Sequence, residues 1–245
     1  MKLKTIEKIQ QDSDRIVIFI HGFMGSPAQF SGLMDLAYGK GFSVVSLLLP
    51  GHGKSGFDFA RTRLRSWEEY LDKQLKHFSS YKKIYLIGHS LGGLLAVNAT
   101  LKFEISGVVL ISSPLKLSLL QAEAIKKRVK LLFNSVEPDI SQAYRQSHSI
   151  NKSYILSMPF WLRVLCQPFK LMKKTEQNLP MIRVPTLLIH SESDETASFK
   201  SSAMFDKLLL NSDHEIVLLK ESWHAYFTKA EQEIIYTKIS DFISL

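Results

Sequence analysis

The chain is poor in several kinds of feature, and each shortage narrows the reading. It has a single cysteine, Cys166, in 245 residues. No internal disulfide can form, and no second thiol stands by to complete a metal site. No apolar run reaches the roughly 18 residues that a membrane span requires. The first eight residues, MKLKTIEK, carry charge throughout and have no apolar stretch of the secretory kind. No pair of histidines or cysteines has metal-ligand spacing, so no metal is expected. Gly53-Lys54-Ser55 looks like the end of a phosphate-binding loop, but Leu48 stands where the first glycine of that loop belongs. Internal repeats and low-complexity linkers are also lacking. The expectation is a cytoplasmic globular protein, with neither a disulfide framework nor a membrane-spanning segment.

What is present fits one large α/β domain. Hydrophobic residues make up 45% of the chain and mean hydropathy is close to zero, as in ordinary globular domains. Short, continuous, β-branched runs recur at residues 15–20, 42–49, 84–87, 107–111, 184–190 and 215–220. Such runs read as strands buried on both faces. Helical patterns separate them. One follows Ser26-Pro27 to about Tyr38, and one opens at Ser66 with a capping-box pattern to Glu69. Others follow residue 91, span about 198–209 and close the chain at 230–243. Strands alternating with helices imply a doubly wound, mostly parallel sheet that binds ligands at its strand C-termini.

Residues 116–183 break that alternation and read as a helical insertion, a small cap or lid. The expected division is a core of 1–115 and 184–245 with the insertion between them. The insertion holds 12 Lys/Arg against 4 Asp/Glu, which accounts for the whole formal charge of +8. It also mixes large apolar and basic side chains over 160–174. The ordinary explanation is a cap with an apolar underside; weak contact with anionic lipid is the other. Nucleic acid is not expected, because no binding motif accompanies the charge.

The richest stretch is Gly88-His89-Ser90-Leu91-Gly92, a G-x-S-x-G sequence. A strand-like run precedes it and a helix-like run follows, which is the context a nucleophile elbow requires. A tight turn of this kind lifts a serine above the sheet and sets the next amide beside it. An activated serine also needs a base, an acid to orient that base, and donors for the oxyanion. In enzymes with this elbow the acid and then the base follow the serine. Four of the eight histidines come after Ser90: His148, His190, His214 and His224. The acid belongs in the loop after a late strand, where Glu192, Asp194 and Glu195 lie. Only His214 and His224 follow these, and His214 opens a strand at the wrong end of the sheet. His224 is therefore the candidate base and Asp194 the candidate acid, with Glu192 in reserve. Leu91 N–H is one expected oxyanion donor and Phe23 N–H, from the loop after the first strand, is the other. His21, His52 and His89 read as loop-shaping or packed side chains.

The motifs His21-Gly22-Phe23-Met24-Gly25-Ser26-Pro27, Pro50-Gly51-His52-Gly53, the elbow, Ser193-Asp194-Glu195 and Trp223-His224 together resemble the α/β-hydrolase superfamily. They are most similar to its bacterial carboxylesterase and monoacylglycerol-lipase group. The resemblance covers nearly the whole chain. It implies cleavage of small apolar carboxylic esters through an acyl-enzyme, a small helical cap, and no cofactor. Phe160, Trp161 and Leu165 of the insertion, with Met24, are the candidate walls of an acyl pocket. Two features depart from the group's pattern: Glu195-Thr196-Ala197-Ser198 lacks the Val/Ile-Pro common after the acid, and the insertion is unusually basic. The same machinery serves thioesterases and acyltransferases, and a hydrolase fold can also bind a small ligand without turning it over.

Overall fold

The computed structural model describes residues 3–118, 121–133, 135–150 and 154–244. Seven strands form one sheet: β1 (Ile6–Lys8), β2 (Arg15–Ile20), β3 (Ser43–Leu47), β4 (Lys83–His89), β5 (Gly107–Ile111), β6 (Thr186–Ser191) and β7 (His214–Leu219). Their order is β1-β3-β2-β4-β5-β6-β7. Only β1 runs antiparallel, along the β3 edge; the other pairs are parallel. The strand order reverses between β2 and β4. Loops leaving adjacent strands part there toward opposite sides and open a crevice, the usual ligand position in such sheets. The loop after β2 and the elbow after β4 both lie at this point.

Because side chains alternate across a strand, each central strand supplies two cores. Ile16, Ile18 and Ile20 face one, and Val17 and Phe19 the other. The second core is covered by α1 (Ser31–Gly39) and α11 (Lys229–Phe242). The first is covered by α3 (Leu64–His77) and α4 (Leu91–Ala99). All nine residues of α4 are buried, as expected of a helix apolar on every side.

Several boundaries differ from the sequence reading for identifiable reasons. The segment after Ser26 begins as a 3₁₀ turn, Pro27–Phe30, before α1. Ser26 makes no side-chain cap; its hydroxyl instead donates to the Gln146 carbonyl at 2.9 Å. The helix expected to open at Ser66 starts at Leu64, and no capping box forms there. Its first amide donates to Gln167 Oε1, 103 positions away, at 3.1 Å. The capping box lies earlier, between Ser55 and Asp58 on the short helix α2 (Gly56–Ala60), an element absent from the sequence reading. The edge strand β1 is also absent from the sequence reading; its three residues are mostly exposed and carry no apolar signature.

Between β5 and β6 the described residues form helices and no strand of the sheet. These are α5 (Ala122–Leu132), α6 (Pro138–Ser147), α7 (Tyr154–Ser157), α8 (Leu162–Leu165) and α9 (Gln167–Asn178), with α10 (Lys200–Leu208) following β6. The insertion is not uniform. Leu171 and Leu179, in and just after α9, are fully buried in the first core. Asn98 on α4 binds α9 twice, donating to Thr175 Oγ1 and accepting from Asn178 Nδ2, each at 2.6 Å. The α9 segment thus belongs to the helical layer of the sheet. This corrects the expectation that the whole of 116–183 stands above it: α9 carries an apolar stripe fitted to α4, which spacing alone does not reveal.

Among the described residues no helix is long and apolar enough to cross a membrane, and no cluster of side chains could hold a metal ion.

Candidate active site

The elbow forms because its glycines let three backbones meet. A Cβ on Gly92 would strike the Ile20 carbonyl, and one on Gly88 would strike the backbone of Gly93. Ser90 takes φ 54° and ψ −123°, a strained conformation for a residue with a side chain. The surroundings hold it there. Ser90 N–H donates to the Ile111 carbonyl at 2.8 Å, and the Ser90 carbonyl accepts from Gly93 N–H at 3.0 Å. The serine is thus fixed where β4 ends, and Leu91 N–H is the first amide of α4. Opening amides of a helix have no partner in a preceding turn.

His224 Nε2 lies 3.0 Å from Ser90 Oγ. On its far side, Nδ1 lies 2.9 Å and 3.1 Å from the two carboxylate oxygens of Asp194. Asp194 Oδ1 accepts from the amides of Thr196 and Ala197 at 2.8 Å each. The Asp194 side chain is fully buried and that of His224 nearly so. Burial alone would raise the Asp194 pKa, but the imidazole, His190 and the amide bonds outweigh it and hold the carboxyl below its ordinary value. Burial likewise works against protonation of His224. The charge and hydrogen bond of Asp194, with the charge of Glu195, win and hold its pKa above the ordinary imidazole value. This is a hydroxyl, imidazole and carboxylate in line, able to take a proton from oxygen and stabilise the resulting cation.

The other candidates separate clearly. Glu192, the reserve acid, is exposed, and only its amide is tied down, to the Leu219 carbonyl. His214 pairs with Asp206 at 3.1 Å. His89 hydrogen-bonds the His224 carbonyl through Nε2 at 2.7 Å, and burial pushes its pKa down to about 3. His21 accepts from Leu49 N–H at 3.1 Å, and His52 packs edge-on against it. Burial lowers the pKa of both, that of His52 to about 4. Burial thus disfavours the charged form of His21, His52 and His89, while His224 faces Ser90.

Phe23 and Met24 sit in the loop after β2, partly buried against the first core. Gly22, beside them, lies against Ser90 and His89. Of the candidate acyl-pocket walls in the insertion, Trp161 is buried and donates from Nε1 to the Gly56 carbonyl at 3.0 Å. Phe160 and Leu165 are 63% and 45% exposed. Leu165 ends the short α8, whose buried residue is Val164, and Phe160 lies before it against the Phe57 ring, 5.6 Å between centroids. A cavity of about 220 Å³ lies behind the base loop, between Phe30, Leu33, His89, Gln146, Phe227 and Tyr236; Ser90 is not among its walls.

Sequence reasoning missed the groups that hold the base loop. Glu231, on the first turn of α11, accepts from the amides of Lys220, Glu221 and Ser222 at 2.7, 3.1 and 2.8 Å and from the Ser222 hydroxyl. Burial alone would raise its pKa, but these bonds hold it below the ordinary value. Ser191, at the end of β6, donates to the Ser222 carbonyl at 2.6 Å. Thr228 before a Glu at the third helical position is a cap signature that was legible; the reach of Glu231 back to three amides was not.

A parallel sheet with an elbow serine after a central strand, a carboxylate after a later one and a histidine after the last defines an α/β hydrolase. Solved structures bear out the fold: that of the Paleococcus ferrophilus monoacylglycerol lipase superposes with a TM-score of 0.74 at 22% identity, covering 100% of this chain and 99% of that one. The family model described as serine aminopeptidase, S33, matches residues 11–231, and the chain belongs to that family. It is 24% identical over 232 residues to the thermostable monoacylglycerol lipase of Bacillus sp. (strain H-257), covering 93% of this chain and 90% of the relative. It is 20% identical over 232 residues to the carboxylesterase of Bacillus subtilis (strain 168), with coverage of 94% and 92%.

Proposed function

We propose that the chain cleaves small apolar carboxylic esters through an acyl-enzyme, as a carboxylesterase or monoacylglycerol lipase. The observation that carries this reading is the unbroken line from Ser90 Oγ through His224 to Asp194. Ser90 is the nucleophile. His224 takes its proton and returns it to the leaving alcohol, and Asp194 orients the imidazole and stabilises its cation. The amides of Phe23 and Leu91 hold the oxyanion, a role whose loss removes a factor of about 10² to 10³ per donor. Water then releases the acid. None of these steps calls for a cofactor or metal.

The helices α5 to α8 act as the lid over this centre. Ser90 is only 7% exposed, and the lid docks onto the loop after β2, with Ser149 N–H donating to the Met24 carbonyl at 2.9 Å. Turnover of p-nitrophenyl esters and monoacylglycerols of graded chain length tests the substrate class. The expected profile peaks at short to medium acyl chains and vanishes in Ser90→Ala. A folded protein without turnover on any of them contradicts the reading.

The outer face of the insertion favours one further contact. Leu156, Phe160 and Leu162 are 76%, 63% and 75% exposed, in a segment that also carries Arg163, Lys170 and Lys173. An exposed apolar patch among basic residues suits weak docking on anionic lipid. Co-sedimentation with anionic vesicles at low salt is expected, and its absence would leave the segment as a lid alone.

A further inference from the structure

Asp194 and His224 each have two chain neighbours, and the insertion reaches all four. Lys127 on α5 donates from Nζ to the Ser193 carbonyl at 2.6 Å, and the same ammonium lies 4.8 Å from the centre of the Trp223 ring, within cation–π range. Tyr144 on α6 donates its hydroxyl to Glu195 Oε1 at 2.5 Å, and the backbone of Ala225 hydrogen-bonds the same phenol. Ser193 and Glu195 flank Asp194; Trp223 and Ala225 flank His224. Glu195 closes the arrangement. It is 1% exposed, and its second oxygen accepts from His224 N–H at 3.0 Å. Burial and the charge of Glu195 push the Tyr144 pKa up, so the phenol remains a donor.

We propose that Lys127 and Tyr144 are positioning residues through which the lid, when closed, seats the acid and base loops against each other. This rests on the hydrolase reading above. Neither side chain touches Ser90. Each grips one neighbour of the acid and one neighbour of the base, so releasing either loosens the Asp194–His224 register. A displacement of about 1 Å in such a register can cost a factor near 10² in rate. The lid then has two tasks: it covers the substrate, and it completes the catalytic geometry on closing.

The test uses Lys127→Met, Tyr144→Phe and the double variant in the full chain, with p-nitrophenyl acetate, whose acyl group is too small to need the lid. Expected is a fall in kcat of about tenfold for each single variant, with KM changed by less than about twofold. The double variant is expected to lose less than the product of the two, because both act on the same two loops. Labelling of Ser90 by a small alkyl phosphonate is expected to slow in parallel with kcat. Tyr144→Phe removes one oxygen from a partly exposed helix, and its thermal midpoint reports that it folds. A lowered midpoint with unchanged kcat and labelling rate would overturn the proposal in favour of a merely structural role. Unchanged acetate turnover with a raised KM for long-chain esters would overturn it in favour of substrate contact. A wild type that neither turns over the acetate nor takes the label overturns the hydrolase reading and this inference together.

Discussion

The elbow hydrogen-bonds His224 and the insertion hydrogen-bonds both neighbours of Asp194, yet the two regions are built on opposite principles. The elbow is made of short-range necessity: a buried strand, two glycines that let backbones touch, and a serine pinned between Ile111 and Gly93. Nearly every residue of β4 and α4 is buried. The insertion from α5 to α8 is made of long-range contacts between amphipathic helices and loops, and it leaves large apolar side chains such as Leu132, Phe133 and Leu162 in solvent. In the mechanism proposed above, the first region carries the nucleophile and the second holds the loops of its acid and base.

Substitutions can break this comparison at its strongest point first. Ser90→Ala is expected to lower kcat by a factor on the order of 10⁶, with His224→Ala close behind, since the groups act as a unit. Asp194→Asn keeps the shape but upsets the tautomer of His224, and about 10⁴ is expected. Steady-state kinetics on one p-nitrophenyl ester checks all three. If the insertion variants at Lys127 or Tyr144 cost as much as these, the division between the regions fails.

Next comes stability. Glu231→Gln replaces a carboxylate that accepts four hydrogen bonds by an amide that can accept only at one end. A loss of about 2 kcal/mol is expected, together with lower activity from a loosened His224 loop; denaturant titration and kcat measure the two. A stable variant with full activity would show that the loop holds itself.

The pH dependence follows from the base. His224 must be neutral to act as base, and its pKa in the fold stands above the ordinary imidazole value. Activity is therefore lost as pH falls through a midpoint above about 6.5. The linkage to stability runs the other way: the raised pKa adds stability below the unfolded value, and that contribution disappears as pH rises through the folded one. Burial lowers this midpoint, and the charge and hydrogen bond of Asp194 with the charge of Glu195 raise it, so Glu195→Gln is expected to move it down. An acid limb of kcat/KM below 6.5 in the wild type would contradict the assignment of base and acid. The smallest effect is expected at the outer face: Phe160→Ser should change stability by less than about 0.5 kcal/mol, while weakening any binding to anionic vesicles.

How much of this was legible in the sequence follows the same division. The strands at 15–20 and 107–111 lie where their apolar runs place them, because a strand buried on both faces needs nothing but continuous hydrophobicity. Ser90, Asp194 and His224 come together in the structure as their order along the chain suggested. Legibility ends where one side chain caps a distant backbone. Gln167 starts α3, Glu231 holds three amides of the base loop, and Tyr144 meets Glu195 across 51 positions. Nothing at those positions marks the partner, since a glutamine, glutamate or tyrosine on a helix has many uses. The misplaced capping box shows the same effect from the other side: Ser55-Asp58 and Ser66-Glu69 both carry the pattern, and tertiary contact decided which one formed. Phe160 and Leu165 read as pocket walls because a cap has an apolar underside, and in the structure both are exposed.

The proposed chemistry rests on one serine, raised on the elbow and served by His224, attacking the carbonyl. The most direct test is to treat the folded wild type with a small alkyl phosphonate and map the adduct by peptide mass. A single adduct is expected on the peptide carrying Ser90, absent from Ser90→Ala and slowed severely in His224→Ala. An adduct on another residue, or equal labelling of the wild type and Ser90→Ala, would contradict it.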